Sequence, residues 1–163
     1  MRLLRSLSVA AAIGAWAVIV IGGYVTATHS GLGCQNVVDC GQAPMGSTAA
    51  AIELTHRLAA WTEGFLMLGL LALVLSRYRA WSPVLGLTVL AFLLIVVQSA
   101  LGMLSVYTGY EAFEWYPILV TAHLAVAAAF LAVTVLNAAT ILRGAPPSSV
   151  APAMRAPRAT ETG

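Results

Sequence analysis

Residues 83–106 read PVLGLTVLAFLLIVVQSALGMLSV and contain no charged side chain. An apolar segment of roughly 20 residues is long enough to cross the hydrocarbon core of a bilayer as an α-helix. Three further segments pass the same test, at residues 7–26, 51–75 and 118–142. The sequence therefore predicts an all-α fold, an integral membrane four-helix bundle.

The composition agrees with this prediction, since 60% of the 163 residues are hydrophobic and only 9% are charged. A soluble domain usually carries about 25% charged residues. The first apolar segment is too long for the core of a signal peptide, and we expect it to remain as the first helix. The net charge of +2 indicates no basic surface for nucleic acid, so membrane lipid is the expected surrounding.

The arginines predict the orientation, because cytoplasmic segments near helix ends carry an excess of Lys and Arg. Residues 28–50 and 107–117 contain neither residue type. We therefore place these two segments on the outer face of a multi-pass cell-membrane protein whose N- and C-termini are cytoplasmic. The arginines on the cytoplasmic side are then Arg2, Arg5, Arg77, Arg79, Arg143, Arg155 and Arg158.

The sequence divides into a helical domain and a tail. Residues 1–143 contain all four spans, and the short link between the second and third spans makes these two helices antiparallel neighbours. Residues 144–163 are rich in Pro, Ala and Ser and cannot bury a core. We predict a four-transmembrane-helix domain over residues 1–143, followed by a disordered cytoplasmic tail over residues 144–163.

Two histidines lie inside the predicted spans, where an ionisable side chain is unfavourable unless it is paired or functional. His56 and His123 each lie about five residues, or about 8 Å, beyond the outer start of their helices. They belong to a short internal repeat, in which residues 55–59 (THRLA) resemble residues 121–125 (TAHLA). Two imidazoles at one depth fit the axial ligation of a haem iron in a helical bundle. The alternative is that each histidine only hydrogen-bonds a neighbouring helix.

Small residues near these histidines would let helix backbones approach a planar macrocycle, although they also serve ordinary helix packing. They include Gly22, Gly23 and Gly102.

Glu53 lies three residues before His56, on the same helix face and one turn closer to the outer surface. Its counterpart in the repeat is Val120, so the carboxylate is not required for ligation and can serve as a base, a nucleophile or a charge stabiliser. The alternatives are an ion pair with Arg57 and a first-turn acid favoured by the helix dipole. Arg57 can equally donate to a haem propionate.

The remaining ionisable residues have simpler interpretations. His29, in the first outer segment, is expected to be solvated or packed in the loop, with substrate contact as the alternative. Glu63 lies about 10 Å deeper than His56, where a charge is expensive. We expect it to be protonated or hydrogen-bonded, rather than part of a proton path, with Thr62, Gln98 or Ser99 as its partner.

The two cysteines, Cys34 and Cys40, lie in the first predicted outer segment. Disulfides persist in such an oxidising location, so a disulfide is the first interpretation. A redox-active thiol pair and a metal site are the alternatives. A metal site is disfavoured because the chain has only two cysteines and they lack C-x-x-C spacing.

Several short segments carry a family resemblance in their order along the chain. They are residues 23–26 (GYVT), 30–34 (SGLGC) with Cys40, 52–58 (IELTHRL), 98–102 (QSALG) and 120–124 (VTAHL). At these positions the sequence resembles the haem A synthase family. The resemblance implies an enzyme that oxidises a methyl group of haem O, its substrate, to the formyl group of haem A for terminal oxidase biogenesis.

The same resemblance assigns roles to residues. His56 and His123 correspond to axial haem ligands, Glu53 to the reactive acid, and Cys34 with Cys40 to the outer cysteine pair. Typical members carry two such four-helix units in tandem, one for the substrate and one for a resident haem b. This sequence shows one unit, so we expect a homodimer that restores eight helices.

The resemblance also implies contact with a haem O synthase and with terminal oxidase assembly. Two other functions fit the residues. One is a bis-histidine membrane cytochrome b that transfers electrons, and the other is a non-catalytic haem carrier or assembly protein.

Overall fold

The computed structural model describes residues 1–34, 40, 47–111 and 115–144, with side chains excluded at 109–111. Within these residues the four predicted spans are found as long helices, each apolar enough to cross a membrane. This confirms the all-α prediction. The helices are α1 (Arg2–Ala27), α2 (Thr48–Leu73), α3 (Ser82–Glu111) and α4 (Tyr116–Arg143), and α2 continues into a π-helical turn over Val74–Tyr78. Of the predicted tail, all but Gly144 lies outside the described residues.

Local sequence signals mark the starts of α2 and α4, which lie outside the predicted apolar spans. The Ser47 side chain accepts a hydrogen bond from the Ala50 N–H at 3.3 Å and caps α2. Pro117 lies in the first turn of α4, where its missing N–H is not needed. Apolar content indicates which residues could lie in a membrane, whereas these local signals mark where the helix begins.

His29 ends α1 in a Schellman motif. Its φ of 54° lies in the left-handed region, in the position that glycine usually takes. The Ser30 N–H donates to the Val25 carbonyl at 2.9 Å, and the His29 N–H donates to the Thr26 carbonyl at 3.1 Å. The imidazole itself is exposed, in agreement with the solvated loop histidine expected from the sequence.

The four helices form a ring in which each packs against the next along the chain and α4 returns to pack against α1. The α3–α4 interface is the most extensive and the α2–α3 interface the least. Helices α2 and α4 therefore lie across the ring from each other. These are the two helices that carry the predicted haem ligands.

The apolar core is concentrated at the end of the bundle that contains the N-terminus. Leu4, Val74, Val84 and Ile141 are fully buried there. A buried hydrogen bond from the Asn137 amide to the Thr88 hydroxyl, 3.0 Å long, joins α4 to α3 at the same end. The tightly packed end holds the helices in register and leaves the opposite end for polar groups. Which side of the membrane each end faces stays a prediction.

Candidate functional site

His56 extends from α2 towards α1, where it packs against a glycine. A Cβ added at Gly22 would lie 2.9 Å from Cε1 of the imidazole, so only glycine leaves room for the ring. The Nδ1 atom of His56 is buried, and no described residue hydrogen-bonds it. A buried ring nitrogen without a partner is unfavourable and therefore suggests that a ligand is to be bound there.

His123 extends from α4 towards α3 and packs against Gly102, where an added Cβ would lie 3.1 Å from Cε1. The His123 Nδ1 lies 3.0 Å from the backbone carbonyl oxygen of Gln98. A carbonyl oxygen can only accept, so Nδ1 carries the proton and Nε2 of the neutral ring presents a lone pair. A hydrogen bond of this kind commonly orients a metal-binding histidine.

The two imidazoles thus have corresponding supports, and the internal repeat extends beyond the short segments visible in the sequence. Gly22 and Gly102 support the rings. The residues four positions before these glycines, Val18 and Gln98, place their backbone next to the corresponding ring. Each hairpin therefore builds one histidine site from one helix bearing glycine and one bearing histidine.

The site fits a haem ligated by two histidines. The imidazoles come from α2 and α4, which lie on opposite sides of the helix ring. His56 has an unpartnered ring nitrogen, and His123 is held in the tautomer that presents a lone pair. Neutral imidazole lone pairs are the donors that haem iron takes as axial ligands.

Glu53 is held by two neighbours and is only 3% exposed. Its Oε2 accepts a hydrogen bond from the Cys34 N–H at 2.7 Å. Its Oε1 accepts a short hydrogen bond from the Arg57 guanidinium, which forms an ion pair with it. The ion pair that the sequence offered as an alternative is therefore present. The carboxylate is oriented one helical turn from His56, and the Tyr116 side chain of α4 interacts with it electrostatically.

Cys34 and Cys40 form a disulfide, with their Cα atoms 4.5 Å apart. Both sulfur atoms lie close to the Ala50 carbonyl oxygen in the first turn of α2, at 3.7 and 3.9 Å. The disulfide thus lies on the start of the helix that carries Glu53. It positions the Cys34 N–H that binds the Glu53 carboxylate, a link that the sequence did not indicate.

The prediction that Glu63 is hydrogen-bonded to Thr62, Gln98 or Ser99 is wrong. Glu63 is buried, but it packs against α1, where a Cβ added at Gly14 would overlap its Oε2. No hydrogen-bond partner of its Oε1 is found in the described part of the chain. The rotation of α2 directs this side chain to α1 rather than α3. The three side chains expected to bind it bind elsewhere: Thr62 to the Leu58 carbonyl, Ser99 to the Ile95 carbonyl and Gln98 to His123.

Fold and site together define a class of protein: a bundle of four helices that could span a membrane, with one glycine-supported histidine per hairpin and a buried acid beside a disulfide. The family model for the cytochrome oxidase assembly protein family, COX15-CtaA, matches residues 42–162, and the chain belongs to this family. The match includes Glu53, His56 and His123. The family resemblance noted in the sequence is confirmed. No curated protein and no solved structure matches the chain.

Proposed function

We propose that this protein is a haem A synthase, which oxidises a methyl group of haem O to the formyl group of haem A. One observation carries the proposal: two histidines with corresponding glycine supports, of which only one has a buried carboxylate beside it. A cytochrome that merely transfers electrons needs the imidazoles but has no use for Glu53. Membership of an oxidase assembly family supports the proposal, because terminal oxidases are the proteins that use haem A.

In this proposal His56 and His123 would hold the haem iron through their imidazole nitrogens. Bound haem supplies a redox-active iron and, as haem O, the methyl group to be oxidised. The protein contributes the geometry: glycines let the imidazoles lie close to α1 and α3, and the Gln98 carbonyl keeps the His123 lone pair available. Arg57, next to His56 in sequence, is proposed as an additional donor to a haem propionate.

Glu53 is proposed to stabilise positive charge at the substrate carbon that is oxidised. The Cys34 amide and the Arg57 guanidinium already hold the carboxylate in one orientation. A charge that is oriented beforehand in a buried site needs little rearrangement during the reaction, which is the condition for strong electrostatic stabilisation. The same two hydrogen bonds make the carboxylate less suited to the role of a mobile base.

The end of the bundle that contains the site is proposed to face the outer side of the membrane. The arginines near the helix ends lie at the opposite end of the bundle, and an excess of arginine is typical of cytoplasmic segments. The disulfide beside the site supports this orientation, since disulfides persist in oxidising compartments. Labelling a cysteine introduced into the segment before Pro117 with a membrane-impermeant reagent would check it.

A homodimer is proposed to provide the second haem position. The described residues contain one pair of intramembrane histidines, whereas the proposed reaction uses a resident haem b together with haem O. A second copy of the chain would supply the additional site. The molecular mass of the detergent-solubilised protein tests this, and a fully active monomer would refute it. Contacts with a haem O synthase and with oxidase assembly stay predictions.

The proposed function is tested by expressing the chain in a host that makes haem O but lacks its own haem A synthase. Haems extracted from the cells and from the purified protein are separated by chromatography. We expect haem A or the corresponding alcohol. Protein that binds haem b and haem O but yields neither product would overturn the enzyme and favour electron transfer or haem carriage. A colourless protein would overturn the haem site as well.

Breaking the disulfide is expected to impair the reaction more than haem binding. In Cys40→Ser the Cys34 amide is no longer tethered over α2, so the Glu53 carboxylate loses part of its orientation. Small displacements of a catalytic group are costly, and we expect haem A formation to fall by about tenfold. Haem content and the visible spectrum of the purified variant should stay close to those of the unaltered protein. Unchanged product formation would show that the disulfide has no part in placing Glu53.

A further inference from the structure

We propose that Gln98 makes His123 the exchangeable ligand of the haem site, because its side-chain amide occupies the His123 lone pair whenever haem is absent. The inference rests on the proposed haem ligation and deepens it, since it assigns different tasks to the two histidines. Gln98 acts here as a positioning residue for His123.

Gln98 contacts both nitrogens of the His123 ring. Its backbone carbonyl oxygen accepts a hydrogen bond from the ring Nδ1–H, with 3.0 Å between oxygen and nitrogen. Its side-chain Nε2 lies 3.3 Å from the ring Nε2. With the proton on Nδ1, the ring Nε2 can only accept, so the amide is the donor. The lone pair that accepts this hydrogen bond is the one that would bind iron. The amide and the iron therefore compete for the same electron pair.

The other half of the site contains no such competitor. Val18 is the counterpart of Gln98, four residues before the supporting glycine in each hairpin. A valine side chain has no hydrogen-bond donor. The Val18 backbone lies next to the His56 ring, as the Gln98 backbone lies next to the His123 ring, so the difference between the two hairpins is in the side chain at this position. Haem binding must break a hydrogen bond at His123, whereas the Val18 side chain offers none to break at His56.

The Gln98 amide is held loosely enough to leave. Its Oε1 is buried and finds no hydrogen-bond partner among the residues described, so the amide is only partly satisfied where it lies. The bond from its Nε2 to His123 is at the long end of the normal range. Movement of the side chain does not disturb the backbone carbonyl that fixes the His123 tautomer. The ring therefore stays ready for iron when the amide departs.

Exchange at one ligand is what a haem-modifying enzyme needs. Substrate haem has to enter and product haem has to leave, so at least one axial bond must break in each catalytic cycle. A group inside the protein that takes the place of iron on His123 stabilises the open site and speeds release. The residue beside His56 that corresponds to Gln98 is Val18, so the bond between His56 and the iron would be the last to break.

The test measures haem binding and release rather than turnover. The purified full-length protein is freed of haem and titrated with ferric haem b, and the release rate is followed by transfer to apomyoglobin. Gln98→Met removes the donor with little change in volume, and Gln98→Val copies the other hairpin. We expect both variants to release haem about fivefold more slowly, as loss of one competing hydrogen bond predicts.

Val18→Gln is the matched reciprocal variant, since it introduces the competitor beside His56 and should speed release. Both Gln98 variants should keep the spectrum of haem with two histidine ligands. Release from them that is equally fast or faster, or a spectrum that has lost an imidazole, would overturn the role of Gln98. If the unaltered protein itself binds no haem b, the proposed haem site fails, and the two failures are thus distinguishable.

Discussion

A Glu53→Gln variant is expected to bind haem normally and to form almost no haem A. Glutamine keeps the size of the side chain, and its amide oxygen can still accept the Cys34 N–H. It removes the negative charge that the proposed mechanism uses at the reacting carbon. Loss of an oriented electrostatic group in a buried site lowers turnover by about 100-fold or more. Chromatography of extracted haems gives the activity, and the visible spectrum of the purified variant gives the haem site.

Glu63→Gln is the matched control for this variant. Glu63 is also a buried carboxylate on α2, but it packs against Gly14, away from the end of the bundle that contains the histidines. We expect this variant to form haem A at an ordinary rate. Haem A formation by Glu53→Gln would refute the electrostatic role of Glu53. Loss of all bound haem from Glu53→Gln would assign the acid to haem binding instead.

Gly22→Ala is expected to abolish ligation by His56, whereas the neighbouring Gly23→Ala should leave it intact. An added Cβ at Gly22 would lie 2.9 Å from the imidazole Cε1, closer than real Cβ atoms approach a neighbour, so the ring has to move. At Gly23 the added Cβ has no neighbour within 4 Å among the described residues, apart from its own helix backbone and chain neighbours. The two substitutions are otherwise the same in chemistry and in helix propensity.

The measurement is the haem content and visible spectrum of the purified variants. We expect Gly22→Ala to lose the spectrum of haem with two histidine ligands and most of its haem, and Gly23→Ala to match the unaltered protein. Gly102→Ala should have a smaller effect than Gly22→Ala, since its Cβ would lie 3.1 Å from the His123 ring. Equal spectra for Gly22→Ala and Gly23→Ala would show that the His56 ring does not need this contact.

The four helices could be predicted because each apolar span had to be long enough for a bilayer. Residues 83–106 lie wholly within α3, and the other spans are likewise contained in helical segments. The helix ends could not be predicted from apolar length. His29 ends α1 in the left-handed conformation, at a position where glycine is usual. Hydropathy does not show which polar residue outside a span will form such a cap.

The candidate site was predictable in part for a related reason. His56, His123 and Glu53 stand out as ionisable residues within apolar segments, and their depth follows from residue counting at 1.5 Å per residue. The direction of a side chain around its helix is not given by depth. This is why the partner expected for Glu63 was wrong, and why Gly22 and Gly23 looked equivalent until the packing of α1 against α2 separated them.

The sequence by itself determined the helix number, the matching positions of the two histidines along their helices, the acid beside one of them and the family. These properties depend on composition and spacing along one chain. Only the tertiary structure decided which helices are neighbours, and thereby the contacts of Gln98 with His123 and of the Cys34 amide with Glu53. Interhelical hydrogen bonds depend on the rotation and order of helices. In a lipid-exposed bundle apolar side chains cover outer faces as well as inner ones, so their pattern leaves that rotation undetermined.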